Sequence, residues 1–133
     1  MRPVHGNGTA KVNLLWVGMG GALGAICRYG VSLLLAPWSQ AFPWATLLIN
    51  GAGSLAIGIA FALFADRLEA WHSLRLLVIV GFLGGFTTFS AFSLETYQLL
   101  LRGELISAVL YALASVILCV LAVAVGIWMV RLF

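Results

Sequence analysis

Apolar residues run along this chain in four long stretches, and the polar positions collect in the short gaps between them. The first stretch extends from about Leu14 to Leu35 and is interrupted only by Arg28. The second, from about Trp44 to Ala65, contains no charge and is stopped by Asp66 and Arg67. The third runs from about Leu74 to Tyr97 and holds a glycine and hydroxyl cluster near its middle; the fourth, Leu105 to about Val130, is the most uniformly aliphatic. An apolar run of about 20 residues rising roughly 1.5 Å per residue matches a hydrocarbon layer about 30 Å thick. The pattern therefore predicts an all-α membrane protein with four transmembrane helices, over residues 14–35, 44–65, 74–97 and 105–130 of a single domain. The connections 36–43, 66–73 and 98–104 are too short for a soluble domain, and residues 1–12 are expected to form a loose tail.

Composition agrees, since 63% apolar and 8% charged residues in a chain of 133 leave too little polar surface for a soluble globule. Trp16, Trp38, Trp44, Trp71 and Trp128 fall near predicted ends, where an amphipathic ring prefers the headgroup region. A removable signal peptide is not expected: the first apolar run exceeds a typical h-region, and no Ala-x-Ala site follows it. Cys27 and Cys119 lie within spans without ligand spacing and read as packing residues, while His5 and His72 fall in the tail and a loop and receive no role. The net charge of +3 is scattered among helix ends, so anionic lipid headgroups suffice as partners and nucleic acid is not expected.

Polar groups within the spans are the informative ones, because each costs free energy in lipid. Arg28 is the costliest, at about 2.5 to 3.5 kcal/mol on insertion scales. It either snorkels to the nearby span end or serves a buried site. Asp66, Glu69 and Glu104 lie in connections, and Glu95 sits near the end of the third span, so no carboxylate is expected at mid-membrane. A buried cation without a buried acid favours transport of an anion over proton-coupled export of cations. In the second span Asn50, Ser54 and Gly58 recur every four residues on one face. Ser54 and Gly58 read first as helix packing, whereas Asn50 is equally suited to packing and to function. Gly20-x-x-x-Gly24 in the first span is a close-packing face.

The third span carries Gly84-Gly85 followed by Thr87, Thr88 and Ser90, which weakens a helix at the depth where exposed backbone is least tolerated. A break there would line a cavity or bind an ion. The alternative is a continuous helix whose hydroxyls bond back to preceding carbonyls. Phe86, Phe89 and Phe92 follow at three-residue spacing. Such rings usually pack, but their positive edges could also form a weakly electropositive lining.

Three segments together resemble the fluoride channels called Fluc or CrcB: Gly20 to Tyr29, Thr46 to Gly53, and Gly81 to Glu95 with its Gly-Gly-Phe-Thr-Thr-Phe-Ser-Ala-Phe run. The resemblance implies transport and not catalysis: passive, fluoride-selective conduction out of the cytoplasm across the bacterial inner membrane. It further implies an antiparallel homodimer with two pores and a structural sodium ion at its centre. Carried over by motif, Phe89 and Phe92 contact fluoride, Asn50 is the pore asparagine, and Thr88 and Ser90 add hydroxyls. Main-chain carbonyls of Gly84 and Thr87 are the implied sodium ligands, and Arg28 and Glu95 complete the motifs. Tyr111 and Ser115, one turn apart, match a polar track whose next hydroxyl is replaced here by Cys119.

Arg2, Lys11, Arg67, Arg75 and Arg131 fall on the side of the termini, against Arg102 and Arg28 on the other. This bias favours one orientation, so the expected partner is an identical copy inserted the opposite way or, failing that, an oppositely oriented paralogue. A small exporter of organic ions and a non-transporting assembly subunit are the other classes considered.

Overall fold

The computed structural model describes residues 6–65 and 71–132, and its described elements are all helical. Arg2, His5, Asp66, Arg67 and Glu69 lie outside the described residues. Helix α1 spans Gly6–Leu35 and ends in a short 3₁₀ turn, Ala36–Trp38; α2 spans Trp44–Phe64. The third span is composite: α3 (His72–Arg75), a π-helical stretch (Leu76–Leu83), α4 (Gly84–Phe86) and α5 (Phe89–Leu101). Helix α6 runs from Leu105 to Arg131. Among the described residues four helical segments are long and apolar enough to cross a membrane, Gly8–Trp38, Trp44–Phe64, His72–Leu101 and Leu105–Arg131, and the chain is a multi-pass membrane protein.

Two expectations change. Residues 6–12, assigned to a loose tail, begin α1. No proline interrupts the chain between Gly6 and Leu35, and Lys11 can lie along the helix with its charge at the headgroup level. Trp16 thus sits about three turns into α1, yet it shares a pocket with Trp71, Ser73 and Leu74 at the start of the third span, so it remains near that end. The wide i to i+5 turns of Leu76–Leu83 are the second departure.

The first span packs on the third backbone against backbone. A Cβ at Gly20 would strike the Leu77 carbonyl and the Phe82 amide, and one at Gly24 the Phe82 carbonyl and the Phe86 amide. Gly20-x-x-x-Gly24 is thus a close-packing face. Helices α2 and α6 cross in the same way, with Gly58 against the Val123 backbone and Gly126 against Leu55 and Ile59.

Two small cores result. Ala60, Phe64 and Leu83 pack together at the end nearer the termini, and Leu47, Leu99, Ala108 and Tyr111 pack with Phe42 and Phe92 toward the other. Helix α5 reverses into α6 through Gly103, whose φ of 77° is left-handed. The Glu104 amide bonds the Leu99 carbonyl at 2.9 Å and the Gly103 amide the Leu100 carbonyl at 3.0 Å. These are the paired bonds of a Schellman turn. The tight reversal sets α5, α2 and α6 side by side around the site.

Candidate functional site

The site is organised by two residues in the third span that leave helical geometry: Thr87 (φ −82°, ψ 156°) and Thr88 (φ −150°, ψ 113°) are both extended. Both fall within the glycine and hydroxyl cluster read from the sequence, whose Gly84 and Gly85 are themselves helical. Gly85 is a glycine for packing, because a Cβ there would meet the Gly21 backbone. Gly53 on α2 is small for a related reason. A Cβ there would collide with the Thr87 methyl, so its absence lets α2 pass close to the extended pair.

Side chains repair the lost helical bonds. The Asn50 amide clamps Thr88 from both sides, its Oδ1 accepting from the Thr88 amide at 2.8 Å and its Nδ2 donating to the Thr88 carbonyl at 3.0 Å. The Thr88 hydroxyl caps α5 by accepting from the Ala91 amide at 3.1 Å. Thr87 donates its amide (3.0 Å) and hydroxyl (2.9 Å) to the Leu83 carbonyl. Left in lipid without partners, such backbone groups would each cost several kcal/mol.

These repairs have a consequence for two carbonyls. The Thr88 amide would close the helical bond to Gly84, and the Ala91 amide the bond to Thr87; Asn50 and the Thr88 hydroxyl hold them instead. The carbonyls of Gly84 and Thr87 therefore lack their helical donors, and their donor set, neutral backbone oxygen, suits a hard monovalent cation. Gly85 is served differently, its carbonyl accepting from Arg28 Nε at 3.2 Å. Arg28 thus turns to the third span instead of snorkelling to the end of its own. Among the described residues no three His, Cys, Asp or Glu side chains gather as a metal cluster.

Beside the extended pair lies a cavity of about 300 Å³, lined by Asn50, Ser54, Thr87, Thr88, Phe89, Phe92, Ser115 and Cys119 among others. Its lining contains no acid. The Phe89 and Phe92 rings are 5.3 Å apart and tilted by 45°, and Phe89 is 77% exposed at the edge of the cavity. The Ser115 hydroxyl is buried without a hydrogen-bond partner among the described residues. Asn50 Nδ2 keeps a second N–H beyond the one spent on Thr88. Such a wall offers hydroxyl and amide donors and positive ring edges, which fits a small anion better than a cation.

Expected site residues thus fall into three groups. Asn50, Thr87, Thr88, Phe89, Phe92 and Ser115 share the cavity. Tyr111 and Glu95 form the next layer: Tyr111 is fully buried, its ring lies 5.3 Å from Phe92, and its hydroxyl donates to Glu95 Oε2 at 2.7 Å. Ser90, Gly84 and Arg28 lie outside the lining; Ser90 is exposed, its hydroxyl 3.2 Å from that of Thr88.

Two residues gain importance. Ser54, read first as packing, lines the cavity. Thr46, given no role above, donates its hydroxyl to Glu95 Oε1 at 2.7 Å, so both Glu95 oxygens are engaged. Extending the four-residue line of Asn50 and Ser54 back by one turn would have found it.

Comparison with known proteins adds a family match. Residues 15–127 match the model described as CrcB-like protein, Camphor Resistance (CrcB). A fluoride-specific ion channel FluC of Magnetococcus marinus is 48% identical over 122 residues, covering 91% of this chain and 99% of the relative. Proteins of the same name from Nitrobacter winogradskyi and Hydrogenovibrio crunogenus are each 48% identical; the matches cover 89% and 88% of this chain, and 94% and 89% of the relatives.

Proposed function

The chain belongs to the CrcB-like family, and from that premise we propose that it is a passive, fluoride-selective channel that lets fluoride leave the cytoplasm across a bacterial inner membrane. The observation that carries this reading is the acid-free cavity in which Phe89, Phe92, Asn50 and Ser115 converge. Fluoride holds its water tightly, so a path for it must replace hydration with donors in close succession. Asn50 and Ser115 supply N–H and O–H donors, and the edges of Phe89 and Phe92 supply weak positive potential without binding so tightly that the ion cannot leave. Beyond Phe92, the Tyr111 hydroxyl donates to Glu95, whose other oxygen Thr46 holds, and this trio forms the polar layer behind the rings. Width between the rings would exclude chloride. An exporter of organic cations is disfavoured by the lack of an acid in this lining.

The functional unit is an antiparallel homodimer in lipid, with two pores. Phe89 is mostly exposed on a single chain, and a second copy would complete the wall it borders. The carbonyls of Gly84 and Thr87, doubled by a two-fold axis, would hold a structural sodium ion. When bound, it supplies the positive charge that offsets carbonyl dipoles deprived of their helical donors. Lys11, Arg75 and Arg131 all lie at one end of the span bundle and Arg102 at the other. That bias makes orientation a necessary test.

Efflux from liposomes containing only this chain, with fluoride and chloride measured separately, tests the function. Fluoride should leave rapidly and chloride hardly at all, and equal release of both would defeat the assignment. Cysteine-accessibility labelling of the tails in cells should find each tail on both membrane faces, whereas labelling from one face would require an oppositely inserted paralogue.

A further inference from the structure

A second polar pocket, of about 260 Å³, lies at the end of the bundle where α2 and α6 begin, between the 39–43 connection and the last turns of α5. Ser39, Gln40, Glu95, Gln98 and Arg102 contribute its polar groups. In a chain with 8% charged residues, one carboxylate and one guanidinium around a single pocket is a notable concentration. Arg102 is held at the rim: its Nε donates to Glu104 at 2.8 Å and its Nη2 approaches the Ala41 carbonyl at 3.5 Å, while the side chain stays 47% exposed.

This pocket and the cavity described above are linked through one layer of side chains. Phe92 lines the first cavity, its ring touches Tyr111, and Tyr111 donates to Glu95, which lines the second pocket. An anion passing Phe92 toward this end would meet the field of the Glu95 carboxylate. The Arg102 guanidinium beyond it, paired with Glu104, offsets part of the field of the two carboxylates, and the Gln40 and Gln98 amides offer donors for an ion regaining its water. Building on the channel reading above, we propose that this pocket is a mouth of the anion path and that Arg102 is the residue that offsets its carboxylates, Glu95 and Glu104, so that the small anion can pass.

Because the effect is electrostatic and close to water, it should depend on salt. The Debye length falls from about 30 Å at about 0.01 M to about 3 Å at 1 M. In proteoliposomes at subsaturating fluoride, R102Q should lower the initial efflux rate about threefold at the lower ionic strength and by less than about 1.5-fold at the higher. R102K should keep the wild-type rate at both, and R102E should fall below R102Q at low salt. An R102Q rate equal to wild type at low salt, or a deficit of the same size at every salt, would overturn the proposal, the latter by showing a merely structural role. A wild-type chain that carries no fluoride under either condition would instead overturn the channel reading, and this inference with it.

Discussion

The two halves of the third span solve opposite problems. Before the extended residues, Leu76–Leu83 is apolar and packs on α1 through glycines, with backbone meeting backbone at Gly20, Gly24 and Gly81. After them, α5 carries phenylalanine, hydroxyl and carboxylate side chains that face α2, α6 and the cavity. The first half needs small residues because it must let another backbone approach closely, while the second needs donors and rings because it must meet an ion. In the second half Ser93 and Thr96 bond back to the Phe89 and Phe92 carbonyls, and Glu95 takes two hydroxyls. Across the cavity, on α6, the buried Ser115 hydroxyl has no hydrogen-bond partner among the described residues.

If the halves divide geometry from chemistry, substitutions should separate folding from flux. The largest effect is expected at the rings. Phe89→Ile or Phe92→Ile keeps bulk but removes the positive edge, and should reduce fluoride efflux on the order of 100-fold, or about 3 kcal/mol, with the protein still eluting as a folded dimer. Undiminished flux in both variants would return the rings to packing.

Asn50 serves both purposes. Asn50→Ala leaves the amide and carbonyl of Thr88 without their partners, at about 1 to 3 kcal/mol each. Efflux should fall about tenfold and thermal stability should fall with it. A loss of flux at unchanged melting temperature would mean that the clamp is dispensable.

Ser115→Ala should act in the opposite sense on the two readouts. Removing an unpartnered buried hydroxyl leaves stability equal or raises it by up to about 1 kcal/mol, while one lost donor should slow efflux about fivefold. The smallest effect on flux is expected in the first half. Gly20→Ala forces a methyl into the Leu77 and Phe82 backbone and should cost about 1 to 3 kcal/mol of stability, while flux per folded channel changes less than twofold. Flux that collapses in Gly20→Ala while stability is preserved would erase the distinction between the halves.

The spans were legible in the sequence because a continuous apolar run is a one-dimensional signal that the bilayer thickness calibrates. Gly20-x-x-x-Gly24 was legible for a similar reason, since small residues four apart share a face. The site was less so. The Gly84 to Ser90 cluster marked an unusual stretch without saying which of its residues leave the helix; Gly84 and Gly85 are helical, while the extended pair is Thr87 and Thr88. What decides this is a distant partner, Asn50, whose amide can replace helical bonds only once α2 lies alongside. Thr46 escaped for a related reason, since its acceptor Glu95 is 49 residues away. The π-helical turns of Leu76–Leu83, where α1 crosses closely, are likewise not reported by local propensity.

Passive conduction is tested most directly by fluoride efflux from liposomes holding the purified chain, with equal sodium and equal pH on both sides and only a potassium diffusion potential as drive. Fluoride should follow the imposed voltage and reverse when the voltage reverses. Fluoride that stays in place until a sodium or proton gradient is added would contradict the channel and make the protein a coupled transporter.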